Sequence, residues 1–405
     1  VGADGRRWVA PGCRWAASAG RAPRRGGAAA AMRLGWGPEE EAFRAELVAF
    51  LDEHTPREAA GGRDWIGTEA GDLPQWAVDW QAALFDHGWM VPAYPPEYGG
   101  RDATPLQTLV YQEEMGRRGI PRSVHFGGYA IVGPSLLEVG TEEQRSMVPA
   151  AIRGDTVWCV GMSEPNAGSD LAALSTRAVA DGDTFVVNGQ KVWTSYAAIA
   201  EKCFCYVRTD PEARKHKGIS VLVIDMDTPG IEVRAITDMT TNRHFCEVFF
   251  EDVRVPAVNL VGVEGNAFKQ TMAQLEHERG GIDRLVSNQA LFEIAVERAD
   301  RADPRIRQQI ARIETGYRLG RILVTREVLR QAPKGFSAAT KCFCTEHEQV
   351  VADFVAQVLG ADAMLWDDVG KGLAYGPAYT IMGGTSDIMR NILGERVLGL
   401  PREPR

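Results

Sequence analysis

A change of residue texture midway along the chain constrains its fold more than any single motif. From about Val157 to Gly262 the sequence runs as short stretches rich in β-branched and aromatic residues: TFVV, KVWTSY, KCFCYVRT, GISVLVIDMD, GIEVRAITD and CEVFFEDVRVP. Two turn dipeptides, Asp181-Gly182 and Asn188-Gly189, punctuate them, each a hairpin signal because such turns need positive φ. Strand-sized runs at this spacing predict an antiparallel barrel or sandwich of about one hundred residues. On either side the period is helical. Phe43, Leu47, Phe50 and Leu51 recur at helix spacing behind Pro38, with Glu39, Glu40 and Glu41 in the first turn, where the helix dipole favours negative charge. Helices are also predicted from Gln75 towards Gly88, over Pro105–Arg118 and over Ala130–Val139, and Thr141 with Gln144 has capping-box spacing. After Ala267 the pattern predicts helices over Phe268–Ala299, Pro304–Gln331, Ser337–Leu359 and Ser386–Leu398, with Gly360 as a helix end. The Gly383-Gly384 pair precedes an N-cap at Thr385 or Ser386. The expectation is therefore an α+β multi-domain chain, helical over 38–157, β over 158–265 and helical again over 266–405. No βαβ alternation and no Rossmann glycine fingerprint occurs, which excludes a nicotinamide dehydrogenase of that kind.

Composition narrows the function. A length of 405 residues suits two or three domains. The net charge of −9 argues against a general nucleic-acid binder, whose affinity rests on phosphate neutralisation. No stretch approaches the roughly 18 uncharged apolar residues that would span a bilayer as a helix, so no membrane partner is expected. Seven cysteines in so long a chain do not make a disulfide scaffold, and a reducing cytoplasm is the expected location. Residues 1–31, with Asp4 their only acid among several arginines, resemble an organellar transit peptide. A translation start read too far upstream of Met32 explains them more simply, and residues 1–37 are expected to stay outside the fold. No metal is expected. Cys203 and Cys205 share one face of a strand, whereas Cys342 and Cys344 lie about 200° apart on a helix and cannot aim at one ion. Neither a G-x-S-x-G elbow nor a P-loop is present.

Four segments carry chemistry: Met162–Asp170 (MSEPNAGSD), Lys191–Ser195 (KVWTS), Leu275–Arg279 (LEHER) and Met382–Asp387 (MGGTSD). The small residues of the first, Gly168 and Ser169 among them, let backbone approach a ligand closely and offer N–H and hydroxyl donors. By itself it could equally be a polar linker. Together with YPPEYGG, NGQKVWTS, FFEDVRVP and the tail IMGGTSDIMRNILGERVLGLPR, these segments resemble the flavin-dependent acyl-CoA dehydrogenase family from about Pro38 to Arg402. The resemblance implies N-terminal helices, a central β-barrel and a C-terminal four-helix bundle, with FAD between barrel and bundle. It implies that Met162 and Ser163 hold the flavin ring with Trp193 and Ser195, serine standing where the family has threonine. Gly168 belongs to the same loop, Ser169 matches a hydroxyl that meets the pyrophosphate, and Thr385 with Asp387 matches cofactor-binding positions in the tail. Trp193 could otherwise be a half-buried strand aromatic.

The implied reaction removes a proton from the carbon beside a thioester while hydride leaves the next carbon for flavin N5. Such a proton is weakly acidic, so a positioned carboxylate is required, with donors for the developing enolate oxygen. Most of the family takes that carboxylate from a Tyr-Glu-Gly-Thr motif, which here reads Met382-Gly383-Gly384-Thr385. A minority carries it on the helix after the β domain, and the alignment puts Glu278 there, with Arg279 beside the substrate. Glu276 is the rival, but two residues turn a helix about 200°, so both cannot face the flavin. Gly383 leaves space for the relocated side chain and keeps an N–H for the thioester oxygen, and burial would raise the Glu278 pKa. The alternative is a non-catalytic or flavin-sharing subunit of a hetero-oligomer. The family's Arg-x-x-Phe-Gly and Gln-x-x-Gly-Gly-x-Gly elements, which reach a neighbour's flavin, read ERADRADPR and QVLGADA here. The resemblance further implies a homo- or hetero-oligomeric dimer or tetramer, and an electron-transferring flavoprotein as acceptor. An oxidase or monooxygenase on the same scaffold would use oxygen, and the acidic charge weighs against a DNA-protective relative. By analogy the acyl group is branched, long or steroid-derived.

Overall fold

Capping and periodicity set the N-terminal helices. In the computed structural model, which describes residues 36–59, 73–120, 127–270, 285 and 287–402, α1 spans Pro38–His54 and buries Phe43, Leu47, Phe50 and Leu51. Helices α2 (Gln75–Asp86) and α3 (Pro105–Arg118) follow. Thr104 caps α3 reciprocally: its Oγ1 accepts from the Gln107 N–H at 3.2 Å, and Gln107 Oε1 accepts from the Thr104 N–H at 2.9 Å. Three short helices complete the layer, α4 (Gly133–Val139), α5 (Glu142–Ser146) and α6 (Val148–Arg153), and Thr141 with Gln144 boxes the start of α5.

The middle of the chain is one curled seven-stranded sheet, ordered β1-β4-β2-β3-β7-β6 with β5 paired to β4. Its strands are β1 (Trp158–Gly161), β2 (Arg177–Asp181), β3 (Thr184–Ser195), β4 (Lys202–Arg208), β5 (Ile219–Asp225), β6 (Ile231–Ile236) and β7 (Phe245–Pro256). Most pairings are antiparallel, but β1 adds parallel to β4, and β2 touches the end of the same edge at Arg177 and Arg208. Parallel addition at that edge is long-range and left no local mark. Strands β4 and β5 are covered on both faces. Phe204, Tyr206, Val221 and Val223 join the core of the helical layer, while Cys203, Cys205, Val207, Leu222 and Ile224 point into the sheet's own core with Val187, Cys246 and Val248. Alternation at period two thus fastens the helices to the sheet.

One of the two hairpin signals is a turn and the other is not. Gly182, at φ 63°, turns β2 into β3, with Asp181 paired to Thr184. Asn188-Gly189 instead lies inside β3, at a register shift opposite β7. There the Asn188 side chain exchanges hydrogen bonds with Asp252, Nδ2 donating to Oδ1 at 3.1 Å and Oδ1 accepting from the N–H at 3.0 Å. A Cβ on Gly189 would lie 2.6 Å from Thr176 Cα, so glycine serves close approach here rather than chain reversal.

The C-terminal part packs α7 (Gln289–Arg298), α8 (Pro304–Val328) and α9 (Ser337–Leu359) around Phe292, Ile313, Val351 and Phe354. Helix α8 stops short of Gln331. Two shorter helices follow, α10 (Asp368–Tyr375) and α11 (Ser386–Ile392). The expected last helix is split, because Leu393–Val397 forms a π turn. Residues 271–284, which hold most of the first expected C-terminal helix, and residues 1–35 lie outside the described residues. No described helix is long and apolar enough to cross a membrane. Gly189→Ala is expected to destabilise the protein by about 1–3 kcal/mol, the usual cost of overpacking. Gly182→Ala, whose Cβ would meet nothing within 4 Å, should cost less. Urea unfolding of both variants gives the comparison.

Candidate active site

The best-organised polar feature of the sheet is a buried ion pair. Lys191 lies on the inner face of β3, fully buried, and its Nζ donates to Glu164 Oε1 at 2.7 Å and to the Met162 carbonyl at 3.3 Å. Glu164 is itself buried. It also accepts from the Ser175 N–H (2.6 Å), the Ser175 hydroxyl (2.9 Å) and the Thr176 N–H (2.9 Å). Burial alone would push this carboxyl up. The Lys191 charge and these donors outweigh it and hold the pKa at about 2. The pair fixes the first half of the Met162–Asp170 loop, whose Glu164 and Ala167 bond each other reciprocally at 3.0 and 3.1 Å.

The neighbouring backbone completes the anchorage. Val192 N–H donates to the Ser163 carbonyl at 2.9 Å, so Met162 and Ser163, which follow β1, are tied to β3 beside a second register shift, between Lys191 and Thr194. Trp193 sits in that bulge at φ 59°, a left-handed conformation costing a non-glycine residue roughly 1–2 kcal/mol. Trp193 is 57% exposed and meets Phe245 edge-on at 5.7 Å between ring centroids. Thr194 Oγ1, next along, is buried without a hydrogen-bond partner among the described residues. Met162, Ser163, Trp193 and half-buried Ser195 are thereby gathered at one end of the sheet.

The other expected site residues fall elsewhere. Gly168 and Ser169 lie on the exposed turn of the loop, where a Cβ on Gly168 would meet nothing within 4 Å, and Asp170 pairs with Lys215. Thr385 is the N-cap of α11, its Oγ1 accepting from the Ile388 N–H at 3.2 Å, with exposed Asp387 two residues on. Gly383, at φ 65°, and Gly384, at φ 92°, form the turn before it. Glu278 and Arg279 lie outside the described residues. Sequence reasoning missed the Lys191–Glu164 pair. Both residues stand inside quoted motifs, yet strand alternation alone gives no sign that a lysine turns inward.

Because Glu164 is held below its ordinary value, its contribution to stability is complete above about pH 4.5 and lost as pH falls towards 2. Glu164→Gln strands the Lys191 charge and should cost about 3–5 kcal/mol at pH 7, with a smaller penalty at pH 3. Denaturant titrations at the two pH values measure the difference, and equal penalties would contradict the pairing.

Comparison with known proteins agrees with this organisation. Profiles of the acyl-CoA dehydrogenase N-terminal, middle and C-terminal domains match residues 37–155, 159–253 and 265–398. The Mycobacterium tuberculosis protein named acyl-CoA dehydrogenase IpdE1 is 35% identical over 383 residues, covering 90% of this chain and 99% of its own. Acyl-CoA dehydrogenase FadE26 of the same organism is 32% identical over 413 residues, covering 92% and 100%. The solved structure titled Tcur3481-Tcur3483 steroid ACAD superposes with a TM-score of 0.80 at 31% identity, covering 92% of this chain and all (100%) of that one. Matches over all three parts, on a sheet and two helical layers in the same order, establish that the chain belongs to the acyl-CoA dehydrogenase family of oxidoreductases.

Proposed function

We propose that this chain dehydrogenates an acyl-CoA thioester to the trans-2-enoyl-CoA, with FAD seated on the Met162–Asp170 loop and the Trp193 bulge. The observation that carries the proposal is the strained, exposed indole of Trp193 beside a loop locked by Lys191 and Glu164. Those residues fit a flat, polar-edged ring: a large aromatic side chain is exposed, half-buried Ser163 and Ser195 belong to the same loop and bulge, and the buried Thr194 Oγ1 lacks a hydrogen-bond partner among the described residues. The open turn at Gly168 and Ser169 suits close approach by the cofactor's phosphates, and Thr385 with Asp387 is proposed to meet them from the tail. When bound, FAD supplies the acceptor for the hydride that leaves the β-carbon.

The chain's own part is acid–base and positioning chemistry. Glu278 takes the α-proton, by sequence register with family members that carry the base after the β domain, and Arg279 lies beside the substrate. The Gly383 N–H donates to the thioester oxygen as negative charge grows there, and the positive φ of Gly383 and Gly384 provides a turn without side chains in which to do so. Electrons then leave to an electron-transferring flavoprotein. A steroid-derived acyl group is the favoured substrate class, since a relative that superposes over 92% of this chain is titled a steroid ACAD.

A second organisation, a hetero-oligomer with shared flavin sites, has one observation in its favour. Directly after QVLGADA, the segment that matches the family element reaching a neighbour's flavin, the residues Met364, Leu365 and Trp366 are 85%, 57% and 54% exposed, an outward apolar run. A solved relative, 29% identical with a TM-score of 0.79, is titled as the ChsE4-ChsE5 complex from Mycobacterium tuberculosis.

Glu278→Gln is expected to lower turnover of a reactive acyl-CoA by about 10²–10⁴-fold, the usual contribution of a general base, while flavin stays bound. Undiminished turnover would remove Glu278 from the mechanism. Reduction by substrate under anaerobic conditions followed by air should give slow reoxidation, and rapid reoxidation would indicate an oxidase instead.

A further inference from the structure

One buried histidine takes no part in the reaction described above. His244 closes the segment between β6 and β7, is 6% exposed, and its Nδ1 is buried without a hydrogen-bond partner among the described residues. Facing that atom at 3.9 Å is Asp238 Oδ2, likewise buried and without a hydrogen-bond partner among the described residues. The other oxygen of the same carboxylate is occupied: Oδ1 accepts from the Thr240 N–H (2.7 Å), the Thr240 hydroxyl (2.6 Å) and the Asn242 N–H (3.2 Å). The imidazole packs against Phe245 at 3.9 Å and Tyr196 at 5.7 Å between ring centroids. Phe245 in turn meets Trp193 edge-on at 5.7 Å. A file of rings therefore runs from the Asp238–His244 gap to the exposed indole.

The gap is too long for a hydrogen bond, and two buried polar atoms left apart are costly unless something is gained by keeping them so. With the imidazole neutral, its tilted packing against the Phe245 ring, at an interplanar angle of 40°, wins. With a proton added, attraction to Asp238 Oδ2 favours closing the gap, which moves the ring away from Phe245. Burial lowers the His244 pKa below the usual 6.5, and the Asp238 charge opposes that shift. Among the described residues, its other titratable or charged neighbours include Tyr196 just after β3, itself influenced by Tyr375 on α10, the preceding residue Arg243, and Cys246 two residues on.

We propose that His244 is a positioning residue for Trp193, holding the indole through Phe245 when neutral and releasing it when protonation pairs the imidazole with Asp238. Its consequence for flavin rests on the function proposed above; the ring movement itself does not.

The test uses the full chain without added flavin. Tryptophan emission of the wild type minus that of Trp193→Phe is followed from pH 8 to pH 5. The Trp193 component should change in a single titration below 6.5, be constant in His244→Gln, and titrate at lower pH in Asp238→Asn, which loses the charge that favours the protonated ring. The dissociation constant for FAD should rise several-fold over the same pH range in the wild type and stay level in His244→Gln. A Trp193 component that ignores pH, or titrates alike in His244→Gln, overturns the proposal. Should His244→Gln fail to fold by circular dichroism, the Asp238→Asn shift, which keeps the imidazole, decides. If FAD binds at no pH, the flavin seat fails while the emission titration still judges His244.

Discussion

An ammonium group inside a β-sheet needs a carboxylate, and in this chain that requirement positions everything at the sheet's functional end. Lys191 cannot remain charged and buried unless Glu164 reaches it, and Glu164 cannot reach it unless the loop after β1 folds back over β3. Once it does, the Met162 carbonyl meets the same ammonium, and the Ser163 carbonyl takes the Val192 N–H. The strand absorbs the extra residue as a bulge, and Trp193 is turned out into the left-handed region. Replacing buried ion pairs by apolar residues is often neutral for stability, so the value of this one lies in fixing where the loop sits.

The surroundings supply rigidity. Strands β4 and β5 carry apolar side chains on both faces, which joins the N-terminal helices to the core of the sheet. In the C-terminal part, close packing fixes the helices that lead to the tail. A Cβ on Gly316 would lie 2.2 Å from His347 Cε1, so α8 and α9 approach as nearly as a glycine allows. Buried Lys341 of α9 donates to the Tyr379 carbonyl at 3.1 Å, which holds the segment before Gly383. The described parts of the proposed site thus rest on two stiff supports, as accurate positioning of reacting groups demands.

Much of this was legible in the residues. The helical periods of α1 and α9, the capping box at Thr141 and the turn at Gly182 depend on neighbours a few positions apart, and local sequence reports them faithfully. Features set by distant partners were hidden. Asn188-Gly189 carries the chemistry of a turn but is held in a strand by Asp252, sixty-four positions away. The parallel seat of β1 beside β4 depends on an edge formed more than forty residues later. The inward lysine at 191, the exposed indole at 193 and the gap between Asp238 and His244 likewise exist only after the sheet has closed. The family motifs marked the loop and the bulge as important; the reason the two belong together is the ion pair beneath them.

The central claim is that this pinned loop and its bulge form a flavin seat within the chain. A crystal structure of the full-length protein with FAD and an unreactive acyl-CoA analogue tests it most directly. The account predicts the isoalloxazine ring packed on Trp193 with its polar edge on Ser163 and Ser195, and the Glu278 carboxyl within hydrogen-bonding reach of the α-carbon's proton. A flavin held elsewhere, or a Glu278 side chain directed into solvent, would contradict it.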